Sequence, residues 1–196
     1  MNGSVHVETI PITELLLAYG TGRFPMCHDD GELYWHDPDP RAVFPLEHLG
    51  PNARAIRAFR QAGFTTTIDE AFEAVIRACA DREETWIDER LINTYVALHG
   101  AGYAHSVETW VDGELVGGIY GVSLRGAFFG ESMFSRRTNA GKSAFFALVA
   151  HLQQQGHVLF DTQYLNDFTE QLGAVEIPRD QFRERLDAAL EAEVRF

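Results

Sequence analysis

Two polar residues stand where chemistry could be done. Asp161 and Gln163 close a short apolar run, Val158-Leu-Phe160. A carboxylate and an amide two positions apart can orient a reacting group and balance charge, but neither is a strong nucleophile. On a strand, alternation predicts Asp161 and Gln163 on one face and Thr162 on the other. Other chemistries fail on spacing. Gly141-Lys142-Ser143 looks like the end of a phosphate-binding loop, yet the glycine required five residues earlier is Arg136. Gly130-Glu-Ser-Met-Phe is not GxSxG, and the eight histidines form no HExxH pattern. Cys27 and Cys79 are far apart, without CxxC spacing, so neither a disulfide framework nor a zinc site is expected. The expectation is a site with no metal and no cofactor.

A second candidate is Arg136-Arg-Thr-Asn-Ala-Gly-Lys142, a basic, glycine-containing turn that opens a helix. Free backbone N–H groups at a helix N-terminus favour anions. The same arrangement serves pyrophosphate binding in GCN5-related acetyltransferases, so on order alone an acetyl-CoA enzyme stays open. The net charge of -13 argues against a nucleic-acid partner until its distribution is considered. From Ser132 to Phe160 there is no acidic residue, while Arg136, Arg137 and Lys142 fall inside that window. From Pro40 to Ile68, Arg41, Arg54, Arg57 and Arg60 outweigh Glu47. Two positive islands in an acidic chain suit a ligand with phosphate at one end and positive charge at the other.

The elements that must position these residues can be read from periodicity. A short helix follows Thr13 and ends at Gly20, and the prolines at 38 and 40 keep the next segment extended. Helices are predicted over Leu49 to Gly63, from a capping box Thr67-Ile-Asp-Glu70 through Cys79, and over Glu89 to Leu98. Ser106 to Val122, turning at Asp112-Gly113, reads as a β-hairpin, continued by Ala127-Phe-Phe129. Asn139 or Thr138 then caps a helix through Leu152; Val158 to Asp161 is a buried strand, and Asp180 to Leu190 a final helix. This is an α+β layout.

At 196 residues and 45% hydrophobic content, the chain supports one sizeable core with a small satellite. We place a small N-terminal domain at residues 1–37 and the main domain at 38–196. No stretch approaches the ~18 apolar residues of a membrane span, and Met1-Asn-Gly-Ser-Val-His-Val-Glu8 lacks the pattern of a signal peptide, so a cytoplasmic protein with no membrane partner is expected.

From Leu16 almost to the end, the chain resembles the leucyl/phenylalanyl-tRNA-protein transferases. The motifs are Ala18-Tyr19, Gly22-Arg-Phe-Pro25, Pro38-Asp-Pro-Arg41, Thr85-Trp86-Ile87 and Leu98-His99. There follow Ala104-His-Ser-Val-Glu-Thr-Trp110, Leu115-Val-Gly-Gly-Ile-Tyr-Gly121, Gly130 to Ser135, Asn139-Ala140 with Lys142, Asp161-Thr-Gln163, Leu172-Gly-Ala174 and Ile177-Pro-Arg179. The resemblance implies a small N-terminal domain on a GCN5-like domain. It also implies transfer of Leu or Phe, with Met a further option, from aminoacyl-tRNA to proteins beginning with Arg or Lys, as in N-degron marking, by a monomer. A catalytically silent peptide-binding module is the remaining alternative to transferase and acetyltransferase.

By that resemblance Trp86 stacks on the terminal adenosine, helped by Met26, where some relatives place a second Trp. Glu131, Tyr19 and Asn166 belong to the substrate site, and Ile119, Phe128, Leu148 and Leu152 wall an apolar amino-acid pocket. Arg136, Arg137, Lys142, Arg54, Arg57 and Arg60 are the candidate contacts to tRNA phosphate. Asp161 and Gln163 form the catalytic pair: the Gln163 oxygen accepts from the attacking amine, and Asp161 rests against the Gln163 NH2. Aminolysis of an activated ester needs no covalent enzyme intermediate. His36-Asp37, Gly141 and Thr162 depart from the family pattern.

Overall fold

The computed structural model describes residues 9–196; the signal-peptide reading of residues 1–8 lies outside them. In chain order the elements are α1 (Ile12–Gly20), β1 (Phe24–Cys27), β2 (Leu33–His36), β3 (Arg41–Phe44), α2 (Ala53–Gln61), β4 (Thr65–Ile68), α3 (Phe72–Ala80) and α4 (Glu89–Gly100). They continue as β5 (Ala104–Val111), β6 (Glu114–Leu124), β7 (Ala127–Ser135), α5 (Ala140–Gln155), β8 (Leu159–Gln163), α6 (Asp167–Gln171), β9 (Val175–Ile177) and α7 (Arg179–Glu191). Seven strands form one sheet in the order β4-β5-β6-β7-β8-β3-β9, while β1 and β2 pair separately as a hairpin.

The β5–β6 hairpin follows from its turn: Asp112 and Gly113 both have positive φ, 51° and 80°, the twist a two-residue connection needs. Strand β7 runs parallel to β8, and such a pair requires a crossover, supplied by α5. Gly117 lets that helix start directly on the sheet, since a Cβ there would lie 2.6 Å from the Ala140 carbonyl carbon.

The helices cover both faces of the sheet. Leu15, Tyr19, Phe24, Tyr95, Tyr120, Phe129 and Phe182 share one buried cluster; Phe44, Val107, Ile119, Phe128, Phe145, Leu148 and Phe160 share the other. Among the described residues, 9–37 contribute Leu15, Tyr19 and Phe24 to the main core. Strand β3 lies between β8 and β9, with Val43 opposite both Asp161 and Val175.

The expected capping box at Thr67 is not formed. Thr65–Ile68 is an edge strand on β5, and α3 begins only at Phe72. Three consecutive threonines favour extended backbone, and Thr67 is drawn into the sheet: its hydroxyl donates to Glu108 and accepts from the Trp110 indole at 2.8 Å. Helix α2 is also shorter than expected, because the Asn52 side chain accepts from the Ala55 N–H and fixes its start. Asn139 occupies the cap position of α5 in a left-handed conformation without capping through its side chain.

Candidate active site

The sheet opens where the chemistry was expected. Parallel pairing of β7 with β8 stops at Phe129 and Asp161, and beyond it Gly130–Ser135 and Thr162–Tyr164 diverge. Gly130 begins the divergence against the Phe160 ring, which would stand 2.9 Å from a Cβ there. A cavity of about 510 Å³ occupies the split. Its floor is apolar, built from Phe44, Ile119, Met133, Phe145, Phe160 and Leu172, whereas Phe24, Met26 and Trp86 stand at another part of the wall. Glu131, Ser132, Thr162, Gln163 and Asn166 supply the polar surface. A split beyond the carboxyl ends of parallel strands is where ligands bind in open α/β sheets.

The two expected catalytic residues are differently placed. Asp161 is fully buried and is gripped by buried Arg41: Nε donates to Oδ1 at 2.9 Å and Nη2 to Oδ2 at 2.6 Å. The third nitrogen, Nη1, donates to the Gly22 carbonyl at 2.8 Å, and the guanidinium lies 4.4 Å from the Phe182 ring centroid and 4.9 Å from that of Phe24. All of this ties α1–β1 segment, β3, β8 and α7 to one carboxylate. Gln163 has φ 59°, and the Tyr164 N–H donates back to the Thr162 carbonyl at 2.7 Å, so a tight γ-turn reverses the chain at the strand end. Asp161 Oδ1 accepts from the Gln163 backbone N–H at 3.0 Å and steadies that turn.

Two expectations change as a result. Alternation fails at the γ-turn, so Thr162 and Gln163 both line the cavity while Asp161 lies beneath it. The Gln163 NH2 does not meet Asp161; it donates to Glu131 Oε1 at 3.3 Å. Glu131 in turn accepts from the Tyr19 hydroxyl at 2.7 Å and the Tyr95 hydroxyl at 3.1 Å, and the two hydroxyls are 2.6 Å apart. Burial pushes the Glu131 carboxyl up to about 7, against the lowering effect of the two tyrosines, with Asp161 adding to the rise and Arg41 opposing it. Burial and Glu131 together raise both phenols well above their ordinary value. Tyr19 therefore acts on the cavity through Glu131 rather than from its wall.

Ile119 lines the apolar floor, but Phe128, Leu148 and Leu152 do not; they are core residues. On α5 the residue that reaches the cavity is Phe145, and Leu148 and Leu152 lie about 4.5 and 10 Å farther along the axis, beyond the split. Phe44 from β3 and Phe160 from β8 complete the floor, packed with Phe145 and with each other at ring-centroid distances of 4.8 to 5.9 Å. These three belong to apolar runs that periodicity marks only as core. Trp86 and Met26 are joined through the backbone, since the Cys27 N–H donates to the Trp86 carbonyl at 3.2 Å. Asn166 is in the wall, with its side-chain oxygen committed to capping α6.

The six cations expected to contact tRNA phosphate lie outside the cavity. Arg54, Arg57 and Arg60 are exposed along α2, and Arg136 and Arg137 on the turn before α5, where Arg137 meets Glu114 at 3.6 Å. Phe59 of α2 approaches Phe146 of α5 with centroids 6.4 Å apart, and Lys142 is one helical turn before Phe146. The two positive windows are thus neighbours in space. The N-terminus of α5 is partly closed as an anion cradle: the Ala140 N–H is bonded to Arg137 O and that of Gly141 to Ser135 Oγ.

Comparison with known proteins shows the family. The family model described as leucyl/phenylalanyl-tRNA protein transferase matches residues 43–187. The chain is 53% identical over 183 residues to the leucyl/phenylalanyl-tRNA–protein transferase of Gloeobacter violaceus, covering 93% of this chain and 95% of the relative. It is 46% identical over 192 residues to that of Chlorobium luteolum, covering 95% and 99%. Among solved structures, FemX superposes with a TM-score of 0.59 at 11% identity, over 83% of this chain and 65% of that one, a likeness of fold. The fold is a mixed architecture of helices around one seven-stranded sheet. With the family model spanning most of the chain and relatives aligned nearly end to end, the protein belongs to the leucyl/phenylalanyl-tRNA–protein transferase family.

Proposed function

We propose that the cavity holds the aminoacyl end of Leu- or Phe-tRNA, and that the α-amine of an acceptor protein beginning with Arg or Lys attacks the ester at Gln163 and Glu131. The observation that carries this reading is the junction of an aromatic-floored pocket with a Gln163–Glu131 pair at the split between β7 and β8. The Leu or Phe side chain enters the floor of Phe44, Phe145, Phe160 and Ile119, and the adenine packs between Trp86 and Met26. The phosphate-bearing strand leaves toward α2 and the start of α5.

Because the Gln163 NH2 is turned toward Glu131, its oxygen is the end that accepts from the amine. The amine must lose a proton, and a carboxylate whose proton affinity lies near neutrality suits that task. Glu131 takes the proton as the new C–N bond forms, and returns it to the ribose oxygen as the ester C–O bond breaks. Tyr19 and Tyr95 hold both carboxylate oxygens throughout, so the proton moves without the side chain moving. Asp161 and Arg41 position Gln163 from below and do not touch substrate.

The acetyl-CoA alternative is disfavoured by the N–H groups of Ala140 and Gly141, which are already bonded within the chain at the start of α5. Among the described residues no helix is long and apolar enough to cross a membrane, and a donor charged in the cytoplasm places the enzyme there. The test offers the purified protein labelled Phe-tRNA, Leu-tRNA or acetyl-CoA, with peptides beginning with Arg, Lys or Asp. Label should pass from either tRNA to the Arg and Lys peptides, and transfer from acetyl-CoA alone would overturn the reading.

A further inference from the structure

None of the six cations proposed for tRNA phosphate lines the cavity. One other cation does. The charged residues in its wall are Glu131 and Arg82. Arg82 lies on the connection between α3 and α4, four residues before Trp86, and its side chain reaches across to β7. There Nη2 donates to the Met133 carbonyl and approaches Ser132 Oγ at 3.4 Å, one residue from Glu131. Asp81, Glu83 and Glu84 flank it in the chain, yet none forms an ion pair with it; the described ion pairs do not include Arg82.

Those contacts engage a single nitrogen of a planar group that carries five N–H donors, so most of the fork remains uncommitted at the cavity wall. An arginine kept only to pin the β7 edge would be expected to take one of the three neighbouring carboxylates. Its surroundings instead preserve its charge for a ligand. In the reaction proposed above, the ester is carried on a ribose whose other end bears a phosphodiester. That phosphodiester must enter close to Glu131, a carboxylate that would repel it. A guanidinium fork is the side chain best matched to phosphate oxygens.

We propose that Arg82 binds the phosphodiester on the 5′ side of the terminal adenosine of the donor tRNA. This rests on the aminoacyl-tRNA reading. Together with Trp86 it reads the last nucleotide by one stacked base and one phosphate, and fixes where the ester falls relative to Gln163. The contact is sequence-independent, as suits a donor drawn from tRNAs that share the same 3′ end.

The experiment compares two donors, Phe-tRNA and 3′-O-phenylalanyl-adenosine, which lacks the phosphodiester, in wild type, Arg82→Ala and Arg82→Lys. With Phe-tRNA, Arg82→Ala should raise KM about tenfold and lower the slope of log KM against log salt by about one. With phenylalanyl-adenosine the same variant should stay within about twofold of wild type. Arg82→Lys should recover most of the loss on Phe-tRNA, because it restores a point charge. An equal loss on both donors, or no loss on either, would overturn the assignment while leaving the transferase reading intact. A wild-type protein that uses neither donor would overturn the transferase reading and this proposal with it.

Discussion

Arg41 and Asp161 form a fully buried, doubly hydrogen-bonded ion pair directly beneath Gln163, at 2.9 and 2.6 Å. The pair joins residues 120 positions apart in sequence. Its carboxylate also holds the N–H of a residue in left-handed backbone, a conformation that costs about 1 to 3 kcal/mol and persists only where its surroundings impose it. Arg41→Met should destabilise the protein by about 3 to 5 kcal/mol, because it leaves an uncompensated buried carboxylate. The double variant Arg41→Met/Asp161→Asn should recover more than half of that. Urea unfolding of the single and double variants measures the difference, and equal destabilisation in both would show that charge compensation is not what holds this region.

Glu131 carries a pH prediction of definite sign. Its carboxyl, raised by burial to about 7, is protonated below that value and ionised above it. The form that can accept a proton therefore grows as pH rises, and kcat/KM should climb through about 7 on a first limb. A second limb near 8 belongs to the acceptor amine. Glu131→Gln should remove the first limb, keep the second, and lower turnover by about 100-fold or more. A Gln variant that retains the limb near 7 would assign that titration to another group.

Parts of this arrangement were legible in the sequence and parts were not, for physical reasons. The Asp112-Gly113 turn and the presence of a strand through Asp161 follow from local backbone preference, and local preference is what a sequence displays. The edge strand at Thr65–Ile68 is hidden in the sequence because a capping-box pattern and a run of β-branched residues occupy the same positions. The choice between them is made by Trp110 and Glu108, some forty residues away. Arg41 was visible as a motif residue and as a surface charge. Nothing local shows that β3 inserts between β8 and β9 and carries that arginine under the site. The Gln163 turn was hidden for a similar reason, since alternation cannot signal where it stops.

The apolar floor should set the choice of donor. Phe145 packs against both Phe44 and Phe160 and lines the cavity from α5. Phe145→Ala removes most of a ring from the floor, which should shift the ratio of kcat/KM for Phe-tRNA over Leu-tRNA toward Phe by about 10- to 100-fold, corresponding to ~1 to 3 kcal/mol. The substitution also costs about 3 to 5 kcal/mol of stability, so the ratio of the two donors on one preparation is the quantity to measure. Leu148→Ala, buried farther along the same helix but outside the cavity, should destabilise without moving that ratio. A shift of equal size in Leu148→Ala would mean that the floor acts through general packing instead of direct contact.

Trp86 and Met26 face the same cavity from segments joined by the Cys27 N–H to Trp86 carbonyl bond, so a planar base entering between them meets one aromatic and one thioether surface. Stacking of a base on an aromatic side chain contributes about 1 to 3 kcal/mol. Trp86→Ala should therefore raise KM for aminoacyl-tRNA by about 10- to 100-fold, with a smaller effect on kcat, since Glu131 and Gln163 are untouched. Trp86→Phe should fall between the two. The reverse change is the more demanding test. Met26→Trp adds a second stacking face where this chain has a flexible side chain, and it should lower KM for Phe-tRNA by up to about tenfold. Because Met26 is half-buried at the cavity wall rather than in the core, the larger ring has open space to occupy. If steady-state kinetics show Met26→Trp raising KM while Trp86→Ala leaves it unchanged, the adenosine does not bind between these two residues.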